Sequence, residues 1–281
     1  MSRKRTQRAQ KKLPVAVTEV LRLRVGAKAK TQSDIIAAEE PLEIRVRGRS
    51  VAVTMRTPGH DEELAAGFLL TEGILRVRSD VIEIAPCLQG EHPQNTLNVF
   101  LAPRVPVDFK KLTRHVFASS SCGLCGKASI ESVHQHFPPL AGDNLKVSAK
   151  LLSQLPDKMR AAQKTFAKTG GLHAAAIFDA RGKMLFLRED VGRHNAVDKV
   201  IGAGFLKNKL PFSNHILLVS GRASFEITQK ALAARIPIVA AVSAPSSLAV
   251  EFAKESGQTL VGFLRGDTMN LYSHTERISA Q

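Results

Sequence analysis

Two thiols three residues apart carry the most reactive chemistry in this sequence. Cys122 and Cys125 lie in Ser119-Ser120-Ser121-Cys122-Gly123-Leu124-Cys125-Gly126-Lys127. The Ser and Gly neighbours give little steric cover, and residues 128–136 have helical composition. A predicted helix N-terminus and the adjacent Lys127 both favour the thiolate, which is the nucleophile and the metal ligand. Other chemistries fit a C-x-x-C. Zinc needs two further ligands; Cys87 is the only other thiol, and His134 and His136 lie downstream but on different faces of a helix. A thioredoxin-type redox pair expects a βαβ frame, which this segment lacks. Inert, buried thiols do not suit Gly and Ser flanks. Cys87, beside Pro86, has no reactive context and reads as structural.

A second group of candidates is charged and hydroxylic. In Glu189-Asp190-Val191-Gly192-Arg193-His194-Asn195, the residues Asp190, Arg193 and His194 read either as a catalytic or anion-binding cluster or as an exposed loop ion pair of little energetic value. Thr169-Gly170-Gly171-Leu172-His173 sets a histidine after a Gly-Gly turn. Three more segments combine Gly, Ser or Thr, two of them with arginine: Ser220-Gly221-Arg222-Ala223-Ser224, Ser243-Ala244-Pro245-Ser246-Ser247 and Arg265-Gly266-Asp267-Thr268.

The elements around those three segments bring them to one place. Strands are predicted at 215–220, 236–243 and 259–264, with helices at 224–234 and 247–255. Short β-α-β-α-β connections predict parallel strands and right-handed crossovers. Ligands of open α/β sheets bind at the carboxyl ends of the strands, so Ser220, Arg222, Ser243 and 265–268 should share one edge. Two of the loops open helices, whose free N–H groups and dipole suit anions. Each loop alone is an ordinary cap or turn; together they point to a phosphate-bearing ligand. Neither a Walker loop nor the dinucleotide glycine fingerprint is present. Upstream, 172–178 and 183–188 form a predicted hairpin through Asp179-Ala180-Arg181-Gly182, with a helix from about Asn195. In the first half, 42–55 reads as a hairpin around Gly48. A helix is predicted at 62–70, with Glu62 and Glu63 favourable in its first turn, and strands at 81–85 and 95–101. Pro138-Pro139 and Gly142-Asp143-Asn144 break the pattern. The predicted organisation is a basic tail at 1–13, an α+β domain at 14–143 and an α/β domain at 144–281.

Composition bounds the partners. The 281 residues carry 40 Lys and Arg against 25 Asp and Glu, a net charge of +15, with 44% hydrophobic residues and three cysteines. No apolar run approaches the roughly 20 residues of a membrane helix, and sparse, unpaired cysteines suit a reducing, cytoplasmic setting. Six basic and no acidic residues fall in 1–13, followed by a segment too charged for a signal sequence. Without that tail the remainder still holds 34 basic against 25 acidic residues, a net of +9. Such an excess attracts nucleic acid, phosphorylated ligands or an acidic partner. Only 5% of residues are aromatic, which gives single-stranded nucleic acid few stacking platforms. A zinc-binding module contacting nucleic acid or protein through Cys122 and Cys125 is the competing class.

Several segments together resemble the FdhD family, sulfur carriers required for formate dehydrogenase maturation. They are Gly67-Phe68-Leu69-Leu70-Thr71-Glu72-Gly73-Ile74, Cys122-Gly123-Leu124-Cys125-Gly126, 169–173, 189–194, Val197-Asp198-Lys199, 219–229, 260–263 and Tyr272-Ser273-His274. The resemblance runs from about residue 40 to the C-terminus. It implies an α/β fold whose C-terminal three-layer domain resembles cytidine deaminases, with a smaller α+β N-terminal domain. It implies a sulfurtransferase: a cysteine desulfurase delivers sulfur to Cys122 as a persulfide, Cys125 assists, and the sulfur passes to the molybdenum of bis(molybdopterin guanine dinucleotide) before insertion into formate dehydrogenase. The family's cofactor-binding stretch falls on Phe263, Leu264, Arg265, Gly266, Asp267 and Thr268. Cytidine deaminases hold zinc with H-x-E and P-C-x-x-C. Here Ala174-Ala175 follows His173 and no proline precedes Cys122, so no catalytic metal is expected. A homodimer is the expected assembly.

Overall fold

The computed structural model describes residues 13–87, 93–109, 137–142 and 145–280. Cys122, Cys125, Lys127, His134 and His136 lie outside the described residues, so the reading of the thiol pair stands on sequence alone. The described chain opens with a hairpin of β1 (Val15–Arg22) and β2 (Lys30–Ala37). A second hairpin follows, β3 (Glu40–Val46) and β4 (Arg49–Arg56), then helix α1 (Asp61–Thr71) and strands β5 (Val81–Pro86) and β6 (Thr96–Leu101). These make a four-stranded sheet of order β4-β3-β6-β5. After the short β7 (Val147–Ser148) come α2 (Ala149–Ala162) and α3 (Phe166–Thr169).

The rest of the chain builds the larger sheet. Strands β8 (His173–Asp179) and β9 (Met184–Asp190) form the expected hairpin, followed by α4 (Arg193–Leu206). Then β10 (His215–Val219), α5 (Phe225–Ala233), β11 (Ile238–Ala241), α6 (Ser247–Glu255) and β12 (Thr259–Arg265) alternate, and β13 (Thr268–Ser273) and β14 (Ile278–Ser279) close the described chain. The sheet order is β13-β12-β11-β10-β8-β9. Strands β10, β11 and β12 are parallel, as the alternation predicts, while β8 and β13 flank them antiparallel.

Alternate strand residues serve two cores. Ala175, Ile177, Leu217, Val219, Val239 and Ala241 face α4, α5 and α6, whereas Ala176, Phe178, Ile216, Leu218, Ile238 and Ala240 face Leu152, Leu155 and Met159 of α2. Helices thus cover both faces, which is why the parallel strands read as continuous apolar runs rather than alternating ones. The first core continues without a break through α4 and α1 to Leu42, Ile44 and Val46 of β3. From His194 to Phe205 every residue of α4 is buried, the pattern of a helix enclosed on all sides.

Glycine brings α1 and α4 together. A β-carbon on Gly67 would lie 1.9 Å from the Asp198 carbonyl oxygen, and one on Gly202 would lie 1.8 Å from that of Glu63. Arg56, fully buried, anchors the start of α1 with two bonds to Asp61, Nε to Oδ1 at 2.9 Å and Nη2 to Oδ2 at 2.8 Å.

Four parts of the fold differ from the sequence-based expectation. The β1–β2 ribbon carries Val17, Leu21, Ile35 and Ile36 exposed, so no half-buried alternation marks it. Pro156 sits inside α2, where a proline ordinarily signals a helix end. β13 follows the 265–268 turn and returns along β12. The strand expected at 236–243 is confined to Ile238–Ala241, since Val242 and Ser243 already turn toward the loop.

Candidate functional site

The loops expected to converge do so. Ala223 pairs with Pro245 in an isolated bridge, its N–H donating to the Ala244 carbonyl at 3.2 Å while Ser246 N–H donates back to Ala223 O at 3.0 Å. Phe263 N–H donates to Ser243 O at 3.1 Å, which joins the third loop to the second. Ser220, Arg222, Ser243 and the 263–268 stretch therefore form one rim at the carboxyl ends of β10, β11 and β12.

Within that rim the side chains divide. Leu264 is fully buried and belongs to the core, so any ligand contact from it is through its backbone. Phe263 is 38% exposed with φ +52°, and the Arg265 guanidinium lies 5.9 Å from its ring centroid. Arg265 Nε donates to Val242 O at 2.8 Å, tying the third loop to the end of β11. Asp267 and Thr268 are exposed, and Thr268 Oγ1 donates to Arg265 O at 3.1 Å. Arg222 is exposed. Ser220 Oγ accepts from Ala174 N–H at 2.9 Å, which fixes the hydroxyl against β8.

Beside Ser220 opens a cavity of about 740 Å³ lined by His173, Val242, Arg160, Gln163, Phe166 and the Gly170-Gly171 turn, among others. Arg160 stacks on Phe166 with its guanidinium carbon 4.0 Å from the ring centroid. Sequence reasoning missed α2, which supplies Arg160. Leu152, Leu155 and Met159, with Ser148 capping Leu151 N–H at 3.1 Å, were the available signal.

The charged segment 189–195 resolves into separate tasks. Glu189 accepts from the N–H groups of Thr165 at 3.0 Å and Phe166 at 2.7 Å, holding the start of α3. Asp190 belongs to no exposed loop pair. It is fully buried, 2.6 Å from Lys199 Nζ, and also accepts from Gly192 N–H, Asn195 Nδ2 and Thr57 N–H. Lys199 donates in turn to Thr57 O at 2.8 Å, so the pair stitches β9 and α4 to the end of β4. A second buried pair is built on the adjacent residue of α4, Asp198. Lys230 of α5 contacts Asp198 Oδ2 at 2.8 Å and Thr71 Oγ1 at 3.1 Å. Burial works against its charge, but Asp198 and Glu226 hold the Lys230 ammonium above the ordinary lysine range.

Arg193 and His194 face the rim. The His173 ring and the Arg193 side chain both border Gly221. Burial, reinforced by Arg193, lowers the His173 imidazole from its ordinary value. His194, 8% exposed, places Nε2 3.2 Å from Ser224 Oγ and Nδ1 3.3 Å from Glu226 Oε2. Burial first, then Arg193, Lys230 and His173, push it down to about 3. The rim thus joins two imidazoles of lowered basicity, arginines, hydroxyls and two helix N-termini.

Fold and site define a three-layer α/β protein with arginines, hydroxyls and two helix N-termini gathered at one sheet edge. The chain belongs to the FdhD/NarQ family, whose model matches residues 37–279. Proteins named sulfur carrier protein FdhD are 55% identical to it in Mycobacterium bovis, over 89% of this chain and 93% of that one, and 51% identical in Streptomyces coelicolor, over 93% and 94%. A third, from Saccharolobus solfataricus, is 44% identical over 90% and 94%. A crystal structure described as that of a formate dehydrogenase accessory protein from Desulfotalea psychrophila superposes with a TM-score of 0.77 at 26% identity, over 95% of this chain and all of the other. Among the described residues no helix is long and apolar enough to cross a membrane.

Proposed function

We propose that this chain is a sulfurtransferase that takes sulfur from a cysteine desulfurase as a persulfide on Cys122 and passes it to the bis(molybdopterin guanine dinucleotide) molybdenum cofactor, its substrate, for formate dehydrogenase. The observation that carries this reading is a basic, Ser- and Gly-lined strand edge in a chain whose relatives are named sulfur carriers. Loading needs no external oxidant. The Cys122 thiolate attacks the outer sulfur of the donor's Cys–S–SH, the S–S bond breaks, the donor leaves as a thiolate, and Cys122 holds the S–SH group. Cys125, three residues on, assists delivery. Guanine and pyrophosphate suit the rim of Phe263, Arg265, Gly266, Asp267 and Thr268 with Ser220, Arg222 and Ser243: exposed guanidinia for phosphate, an exposed ring at Phe263 for stacking, and backbone groups at Leu264.

The test is peptide mass spectrometry after incubation with a cysteine desulfurase and L-cysteine. The Cys122–Cys125 peptide should gain sulfur that a reductant removes, and Cys122→Ala should abolish the gain while the protein stays folded. An unloaded wild-type peptide, or undiminished loading in Cys122→Ala, overturns the assignment.

A further inference from the structure

Ser224 occupies a cap position without acting as a cap. It precedes α5 with extended backbone, yet its side chain makes no capping bond. Ser246, in the equivalent place before α6, does cap, accepting from Ala249 N–H at 3.3 Å. The Ser224 hydroxyl is turned instead to His194 Nε2 at 3.2 Å, and the other nitrogen of that imidazole meets Glu226 Oε2 at 3.3 Å. Because a carboxylate can only accept, the Nδ1 proton is placed toward Glu226, which leaves Nε2 as the acceptor facing the hydroxyl. Hydroxyl, imidazole and carboxylate in that order are the arrangement by which unrelated folds activate a serine. Ser224 also stands at the N-terminus of α5, five residues beyond the end of β10, so the first N–H groups of α5 lie beside it, suited to a developing oxyanion. Arg193 contributes a buried Nε with no hydrogen-bond partner in the described structure, and Arg222 is exposed two residues before Ser224.

We propose that Ser224 is a nucleophilic hydroxyl, with His194 as its base and Glu226 orienting the imidazole, and that the site accepts a carboxylic ester or thioester bearing an anionic group. His194 Nε2 takes the Ser224 proton as Oγ bonds to the carbonyl carbon. The C–O or C–S bond then breaks as the imidazolium returns that proton to the leaving alkoxide or thiolate. Water, deprotonated by the same nitrogen, releases the acid and restores the serine. No electrons change hands. This activity is separate from sulfur loading and does not depend on it.

Around His194 stand Arg193 on its own helix, His173 of β8, and Glu226 and Lys230 of α5. With the imidazole held down to about 3, the base stays neutral from about pH 7 to pH 5, where an ordinary histidine, near 6.5, becomes charged. So low a value also makes it a weak base, so labelling of Ser224 should be slow but insensitive to pH across that range.

The test is labelling of the full-length protein with a fluorophosphonate, followed by peptide mass spectrometry. One adduct is expected, on Ser224, absent in Ser224→Ala and about a hundredfold slower or more in His194→Gln. Its rate should hold from about pH 7 to pH 5. Thermal unfolding of each variant separates lost chemistry from lost fold. If His194→Gln does not fold, Glu226→Gln, expected to slow labelling about tenfold or more, takes its place. No adduct on Ser224 in the wild type, or an unchanged rate in the folded variant, overturns the proposal. Sulfur loading at Cys122 measured on the same samples stands or falls by itself.

Discussion

At the scale of single residues, buried charge decides more than exposed charge. Lys199 and Asp190 are 1% and 0% exposed in their side chains and lie 2.6 Å apart. Each is also hydrogen-bonded to backbone, through Thr57 O for the lysine and Gly192 N–H and Thr57 N–H for the aspartate. Removing one partner strands the other in a low-dielectric interior. Lys199→Met should cost about 3–5 kcal/mol, whereas Lys199→Met with Asp190→Asn should cost less than the two single changes together. Urea unfolding of the three variants checks this; strict additivity would mean the two groups are not coupled. The sequence shows Asp190 and Lys199 nine positions apart around a loop and a helix start, which is equally compatible with a solvated ion pair. Only the enclosure of α4 by the sheet and α1 distinguishes the two, and enclosure is a tertiary property.

At the scale of elements, the crossing of α1 and α4 sets where the N-terminal sheet sits against the site. Gly67 and Gly202 allow backbone to touch backbone, and Thr71 of α1 then reaches Asp198 Oδ1 at 2.9 Å. A methyl group at either position must push a carbonyl oxygen aside, since both contacts fall below 2 Å. Gly67→Ala and Gly202→Ala should each destabilise by about 3 kcal/mol or more, while Gly48→Ala, whose β-carbon would meet nothing within 4 Å, should cost only the strain of its positive φ. Thermal denaturation compares the three; equal losses would remove the argument. Much at this scale was legible in sequence: apolar runs with short Gly and Ser connections gave β10, β12 and the two intervening helices to within about a residue, while β11 came out half as long as expected. The crossing was not, because Gly67 and Asp198 are joined by no local periodicity. The same holds for Ser224 and His194, thirty residues apart, whereas the rim loops were legible because the parallel topology alone dictates that they meet.

At the scale of the whole molecule, the question is where its positive charge acts. The basic block at 1–13 accounts for six of the net +15 charges, and the remainder keeps +9. If the tail supplied ligand affinity, binding would be diffuse and steeply salt-dependent. If the rim supplies it, two residues should dominate. Arg265 is fixed by its bond to Val242 O at 2.8 Å, so its guanidinium is held rather than free to follow a ligand, and charge-assisted bonds from a fixed donor are the stronger kind. Arg222 is exposed at the start of the neighbouring loop. With guanosine diphosphate as the probe, Arg265→Glu should weaken binding about tenfold or more, the equivalent of at least one charge-assisted bond. Deletion of residues 1–12 should change it by less than about twofold if the rim arginines supply the charge-assisted bonds, since the remaining effect is then only a screened, long-range attraction. Isothermal calorimetry at moderate salt reads both. The reverse order, with affinity lost on deletion and kept in Arg265→Glu, would move the anion site off the sheet edge and return the basic surface to a polyanion such as nucleic acid.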